Sequence, residues 1–211
     1  MESKLTEIVF ILDRSGSMVG LESDTIGGYN SMLKKQKGTP GEALISTILF
    51  DNCSEVLHDR INLQKVPYMT EKQYSARGTT ALIDAIGGAI NHIATIHKYA
   101  RKEDLPDTTL FIITTDGMEN SSRAYSYEKV KSLIETKKEI YGWEFLFLGA
   151  NIDAIEVASR FGIGADRAAK YNSDKEGTVL NYEIMNEEIH NLRMTRKINP
   201  NWKERIEKSQ K

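Results

Sequence analysis

The sequence predicts an α/β fold: a mostly parallel sheet covered by helices, with a hairpin strand at one edge. Three observations predict it. Ile8-Val9-Phe10-Ile11-Leu12 is an unbroken apolar run of the kind found in strands buried on both faces. Comparable runs recur at Ala43–Phe50, Thr109–Thr115 and Trp143–Leu148, and amphipathic segments lie between them. That alternation is the layout of a helix-covered sheet. Third, Asp51-Asn52 turns the chain, and Glu55–His58 reads as a strand returning antiparallel, which suits a sheet edge.

Taken in order, residues 22–36 follow the first strand as a helix, with Ile26, Tyr29, Met32 and Leu33 near helical spacing. Gly27-Gly28 weaken it by about 1 kcal/mol each relative to Ala. Gly38-Thr39-Pro40-Gly41 stops it. Residues 60–77 lack a clean period and read as a connection. Leu82, Ile86, Ile90 and Ile93 form the stripe of the next helix, where Gly87-Gly88 would let helix and sheet approach closely. After Thr109–Thr115, Ser126 caps a helix whose buried stripe is Tyr127, Val130, Leu133 and Ile134. Trp143–Leu148, a short helix at 153–161 and a short strand around Ala168–Tyr171 come next. Thr178–Arg193 is the last helix, packed through Tyr182, Met185, Ile189 and Leu192. Residues 195–211 carry six Lys/Arg against two Asp/Glu and read as a partly ordered basic tail, with 1–194 as a single domain.

Asp13-Arg14-Ser15-Gly16-Ser17 sits where the first strand leaves the core. In open α/β sheets that carboxyl end is where ligands bind. One carboxylate and two hydroxyls are hard oxygen donors, suited to magnesium or manganese. Alone, the motif equally suits a Ser-rich turn in which Asp caps a helix. Two further stretches add to it. Gly78-Thr79-Thr80-Ala81-Leu82 places hydroxyls at a helix start, and Ile113-Thr114-Thr115-Asp116-Gly117 places a second acid after another apolar strand.

These three stretches, in this order, resemble the von Willebrand factor type A domain family over roughly residues 5–175, closest to its stand-alone intracellular bacterial and phage members. The resemblance implies a Rossmann-like, mostly parallel central sheet with one antiparallel edge strand and helices on both faces. It implies a metal-ion-dependent adhesion site formed by Asp13, Ser15, Ser17, Thr80 and Asp116, with Thr79 the alternative to Thr80. The implied ion is Mg2+, or Mn2+ or Ca2+. Neutral hydroxyls leave such an ion electrophilic, so an exposed Asp or Glu of a partner protein can replace one of its waters.

The composition bounds the alternatives. With 211 residues, 40% hydrophobic, 27% charged and a net charge of −2, the chain has no overall basic footprint for nucleic acid. No apolar run approaches the roughly 18 residues of a membrane span, and Met1–Glu7 lacks the basic start and apolar core of a signal peptide. A single cysteine, Cys53, excludes an internal disulfide and fits a reducing cytoplasm. A cytoplasmic location is therefore expected, and the family resemblance implies a binding module without enzymatic activity, expected as a monomer. A magnesium-dependent phosphoryl-transfer or nucleotide-hydrolysing enzyme is the alternative, but no Gly-x-x-x-x-Gly-Lys loop is present and position 15, where an Asp-nucleophile phosphatase needs an acid, is Ser. A second alternative is a metal-independent scaffold working through the basic tail. Asp51, Asp84 and Glu119 are read as turn, helix-start and loop acids, and His92 and His97 as structural.

Overall fold

A computed structural model describes residues 5–210. Six strands form one sheet: β1 (Leu5–Asp13), β2 (Glu42–Phe50), β3 (Ser54–Asn62), β4 (Thr108–Thr115), β5 (Glu144–Gly149) and β6 (Ala168–Lys170). Their spatial order is β3-β2-β1-β4-β5-β6. All neighbours are parallel except β2 and β3, which pair antiparallel at the edge. The chain winds outward from β1 first one way and then the other, so the sequence order reverses between β1 and β4. Such a reversal opens a crevice at the carboxyl ends of the two strands.

The apolar run of β1 supplies both layers of the core. Ile8, Phe10 and Leu12 face α1 (Glu22–Lys37) and α5 (Lys175–Thr195), whereas Val9 and Ile11 face α2 (Leu82–Tyr99), α3 (Tyr127–Tyr141) and α4 (Ala154–Arg160). Side chains alternate across a strand, so a strand buried on both sides must be apolar throughout. The expected fold class is thus the observed one, and Ser126 caps α3 by accepting from the Lys129 N–H.

Three local expectations are corrected. Gly28 does more than weaken α1: a Cβ there would lie 2.4 Å from the Tyr182 ring, so the bare backbone admits the tyrosine that docks α5. Gly87 makes room not for the sheet but for the Tyr125 ring, 2.5 Å from where its Cβ would be, and Gly88 faces open space. Residues 195–210, expected to be partly ordered, are folded onto the domain. Ile198, Trp202 and Ile206 are buried in the α1/α5 layer, Trp202 Nε1–H donates to the Asp166 carbonyl at 2.8 Å, and Glu204–Ser209 form a last short helix, α6. Arg196, Lys197, Arg205 and Lys208 are exposed, Lys203 donates to the Ala165 and Ala168 carbonyls, and three apolar side chains point in. A charge count records only the first set.

Candidate functional site

The Asp13-x-Ser-x-Ser turn begins as β1 ends. Asp13 is buried and bridges the two strands that diverge there. Its Oδ1 accepts from the Ser15 N–H at 2.7 Å, and its Oδ2 accepts from Thr115 Oγ1 at 2.7 Å and the Asp116 N–H at 3.2 Å. Ser15 and Ser17 then bring their hydroxyls to 2.9 Å of each other.

The remaining loops are tied to this turn. The Gly16 N–H donates to the Gly78 carbonyl and the Arg77 N–H to the Arg14 carbonyl, so the loop before α2 lies against the first turn. Arg14 itself points away from the cluster. Buried, it pairs with Asp51 at 3.0 Å and Glu55 at 2.7 Å. Asp51 also accepts from Cys53 and Arg77. Burial alone would raise the Asp51 carboxyl, but the hydrogen bonds from Arg77 and Cys53 and the charge of Arg14 outweigh it and hold it below the ordinary range. Asp51 is therefore a turn acid, as expected, and also the anchor of a buried ion pair.

Thr80 is buried and Thr79 exposed. The loop after β4 clasps Thr80: its N–H donates to Asn120 Oδ1 at 2.9 Å, and the Asn120 N–H returns a bond to the Thr80 carbonyl at 3.0 Å. Glu119, read as a loop acid, is instead saturated by the N–H groups of Ile83, Ser121 and Ser122. Asp84 is likewise a brace, accepting from the backbone of Arg123, Ala124 and Tyr125.

Gly117 marks the centre of the cluster. A Cβ on it would lie 2.8 Å from Thr80 Oγ1, 3.0 Å from Ser17 Oγ and 3.5 Å from Ser15 Oγ. Three hydroxyls thus surround a space that only a residue without a side chain leaves open. Asp116 stands beside it, its Oδ1 accepting from Asn151 at 2.6 Å and its Oδ2 from Ser173 at 2.6 Å. Burial pushes the Asp116 carboxyl up, Asp13 adds to the rise by its charge, and Ser173 and Asn151 counteract part of it.

Asp13, Ser15, Ser17, Thr80 and Asp116 all lie at the one crevice, with Thr79 turned to solvent. Among the described residues no Lys, Arg or His pairs with Asp13 or Asp116. Two buried carboxylates without a cationic partner, facing neutral hydroxyls, make a donor set that fits a hard divalent cation. No group of three or more His, Cys, Asp or Glu that could hold a metal ion occurs among the described residues.

Sequence reasoning did not pick out Asn120, Asn151 or Ser173. Asn151 follows an apolar strand and adopts a left-handed backbone, φ 53°, which Asn tolerates. Its place at the carboxyl end of β5 was the available signal. Asn120 and Ser173 belong to irregular loops with no pattern of their own.

No protein-family model matches the chain, and no curated protein is similar to it in sequence. Solved structures do match the fold. The PilB minor pilin of Streptococcus sanguinis (D319A mutant) aligns with TM-score 0.63 and 11% identity over 93% of this chain and 64% of its own. The proximal thread matrix protein 1 of mussel byssus, with a zinc-occupied MIDAS motif, gives 0.58 and 15% identity over 89% of this chain and 46% of its own. A von Willebrand factor type A structure from Catenulispora acidiphila gives 0.55 and 15% identity over 88% and 42%. The chain therefore has the von Willebrand factor type A fold, and it spans less than two thirds of each of these three proteins.

Proposed function

We propose that this chain is a metal-dependent protein-binding module. Ser15, Ser17 and Thr80 would hold a divalent cation through their hydroxyls, and Asp13 and Asp116 would balance its charge from the buried side. Mg2+ suits this set of oxygen donors best, with Mn2+ and Ca2+ as the other candidates. The observation that carries the reading is the convergence of three hydroxyls on the open side of Gly117, beside two carboxylates that lack a cationic partner.

When bound, the ion supplies a concentrated positive charge that attracts an anionic oxygen. The chain's own contribution is orientation. Thr115 and the Asp116 N–H fix Asp13, Asn151 and Ser173 fix Asp116, and Asn120 fixes the Thr80 backbone. The mouth beside Ser17 and Gly117 is where an exposed Asp or Glu of a partner protein would dock. The chain would act without catalysing a reaction, as a monomer in a reducing cytoplasm, alongside the stand-alone intracellular bacterial and phage members of the family. No helix among the described residues is long and apolar enough to cross a membrane.

Calorimetric titration of the chelator-treated chain with magnesium and manganese tests the reading. Saturable one-to-one binding is expected, and Thr80→Val and Ser17→Ala should each abolish it while leaving the circular dichroism spectrum unchanged. Full affinity in both variants would sink the assignment.

A further inference from the structure

We propose that the chain carries a second binding site, for a small aromatic anion, at the opposite pole of the sheet from the hydroxyl cluster. A cavity of about 320 Å³ opens there, between the ends of α2 and α3 and the segments that enter β4 and β5. The sequence marks none of this, because its residues come from four separate elements.

The cavity joins an apolar body to two lysines, Lys98 and Lys137. Leu105 and Pro106 form one side, Tyr141 and Trp143 another. Trp143 is buried: its ring stacks on Phe111 at 5.2 Å and takes the edge of His97 at 5.3 Å. Tyr141 is 60% exposed. Lys137 lies over both rings, 4.6 Å from the centre of Tyr141 and 5.5 Å from that of Trp143. Lys98 stands on the other rim. Neither lysine has a carboxylate partner among the described residues.

Among the described residues, four acids near the cavity are already engaged. Asp107 accepts from the Leu5 N–H and pairs with Arg196 at 3.0 Å. Glu103 and Asp104 pair with Arg101. Glu7, fully buried below, binds Arg60 through one oxygen and His97 Nε2 through the other. That contact fixes the His97 ring. The lining therefore offers aromatic and aliphatic surface with two ammonium groups that lack a carboxylate partner among the described residues, Lys98 lying over the Tyr99 ring at 5.2 Å, and this complements a flat apolar molecule bearing a carboxylate or a similar anion.

Naphthalene-1-carboxylate and the uncharged naphthalene-1-methanol are suitable probes, titrated by calorimetry and by NMR of the two tryptophan indole N–H signals. The carboxylate should bind one-to-one and shift the Trp143 signal but not that of Trp202, with the alcohol about tenfold weaker or more. The surface double variant Lys98→Gln/Lys137→Gln should remove that preference, and Thr80→Val should leave it intact. Equal affinity for the two probes, an unchanged preference in the double variant, or no binding at about 5 mM would each overturn the proposal.

Discussion

Ser173 donates its hydroxyl to Asp116 at 2.6 Å, so the loop that enters α5 holds one of the two carboxylates at the end of β4. Asn151 holds the other oxygen of the same group, also at 2.6 Å. Together they lock the plane of a buried carboxylate from two loops that are remote in sequence. Hydrogen bonds to charged groups contribute about 1.5–3 kcal/mol each. Ser173→Ala should therefore weaken manganese binding roughly tenfold and lower Tm by about 3–12 °C. Calorimetry on folded protein checks this, and an unchanged affinity would show that Asn151 alone suffices to orient Asp116.

Gly117→Ala is a sharper test of the hydroxyl cradle. Its backbone is not left-handed, so alanine is conformationally allowed, but the new methyl would project to 2.8 Å from Thr80 Oγ1 and 3.0 Å from Ser17 Oγ. The hydroxyls must move apart or the space must fill. Metal affinity should drop by about a hundredfold or more, equivalent to ~2.7 kcal/mol, with the fold preserved. Metal binding at wild-type strength in this variant would place the ion elsewhere.

How much of this was legible in the sequence depends on whether the determinants were local. Ile8–Leu12 and Thr109–Thr115 announce central strands because burial on both faces demands uninterrupted apolar residues. The convergence of Asp13, Ser15, Ser17, Thr80 and Asp116 on one crevice was readable because each follows a strand or opens a helix within a short motif. Asn151, Ser173 and Asn120 were not, because their role is to meet a motif residue across space. The fate of residues 195–210 was hidden for another reason. Ile198, Trp202 and Ile206 follow a four-residue spacing, but Asn199-Pro200-Asn201 interrupts it and five cations dominate the composition.

Truncation after Thr195 tests that correction. A dispensable basic tail would leave stability unchanged. Here the deletion uncovers the α1/α5 layer where Ile198, Trp202 and Ile206 are buried. At about 1.5–3 kcal/mol for each large apolar side chain, about 4.5–9 kcal/mol is at stake. This exceeds half the stability of many domains. The truncated chain should melt at least about 10 °C lower, or fail to fold, in a differential scanning experiment. A Tm within about 2 °C of the full chain would return these residues to the status of a tail.

His58 makes the stability depend on pH in a defined direction. It is buried on the edge strand β3, with Nδ1 3.1 Å from Thr47 Oγ1 and Nε2 without a partner among the described residues. Burial holds its imidazole below the ordinary value. The unfolded chain accepts a proton near pH 6.5 that the folded chain refuses. Stability from this residue is therefore complete above about pH 6.5 and declines as the pH falls from there towards the lower folded value. Asp51, depressed in the fold, acts in the same sense but only below the ordinary carboxylate range, so the two windows separate. The urea midpoint should fall between about pH 7 and pH 5, and His58→Gln, which cannot titrate, should flatten that slope while lowering the midpoint overall. An equal slope in the variant would assign the pH dependence to other groups and leave His58 as a packing residue alone.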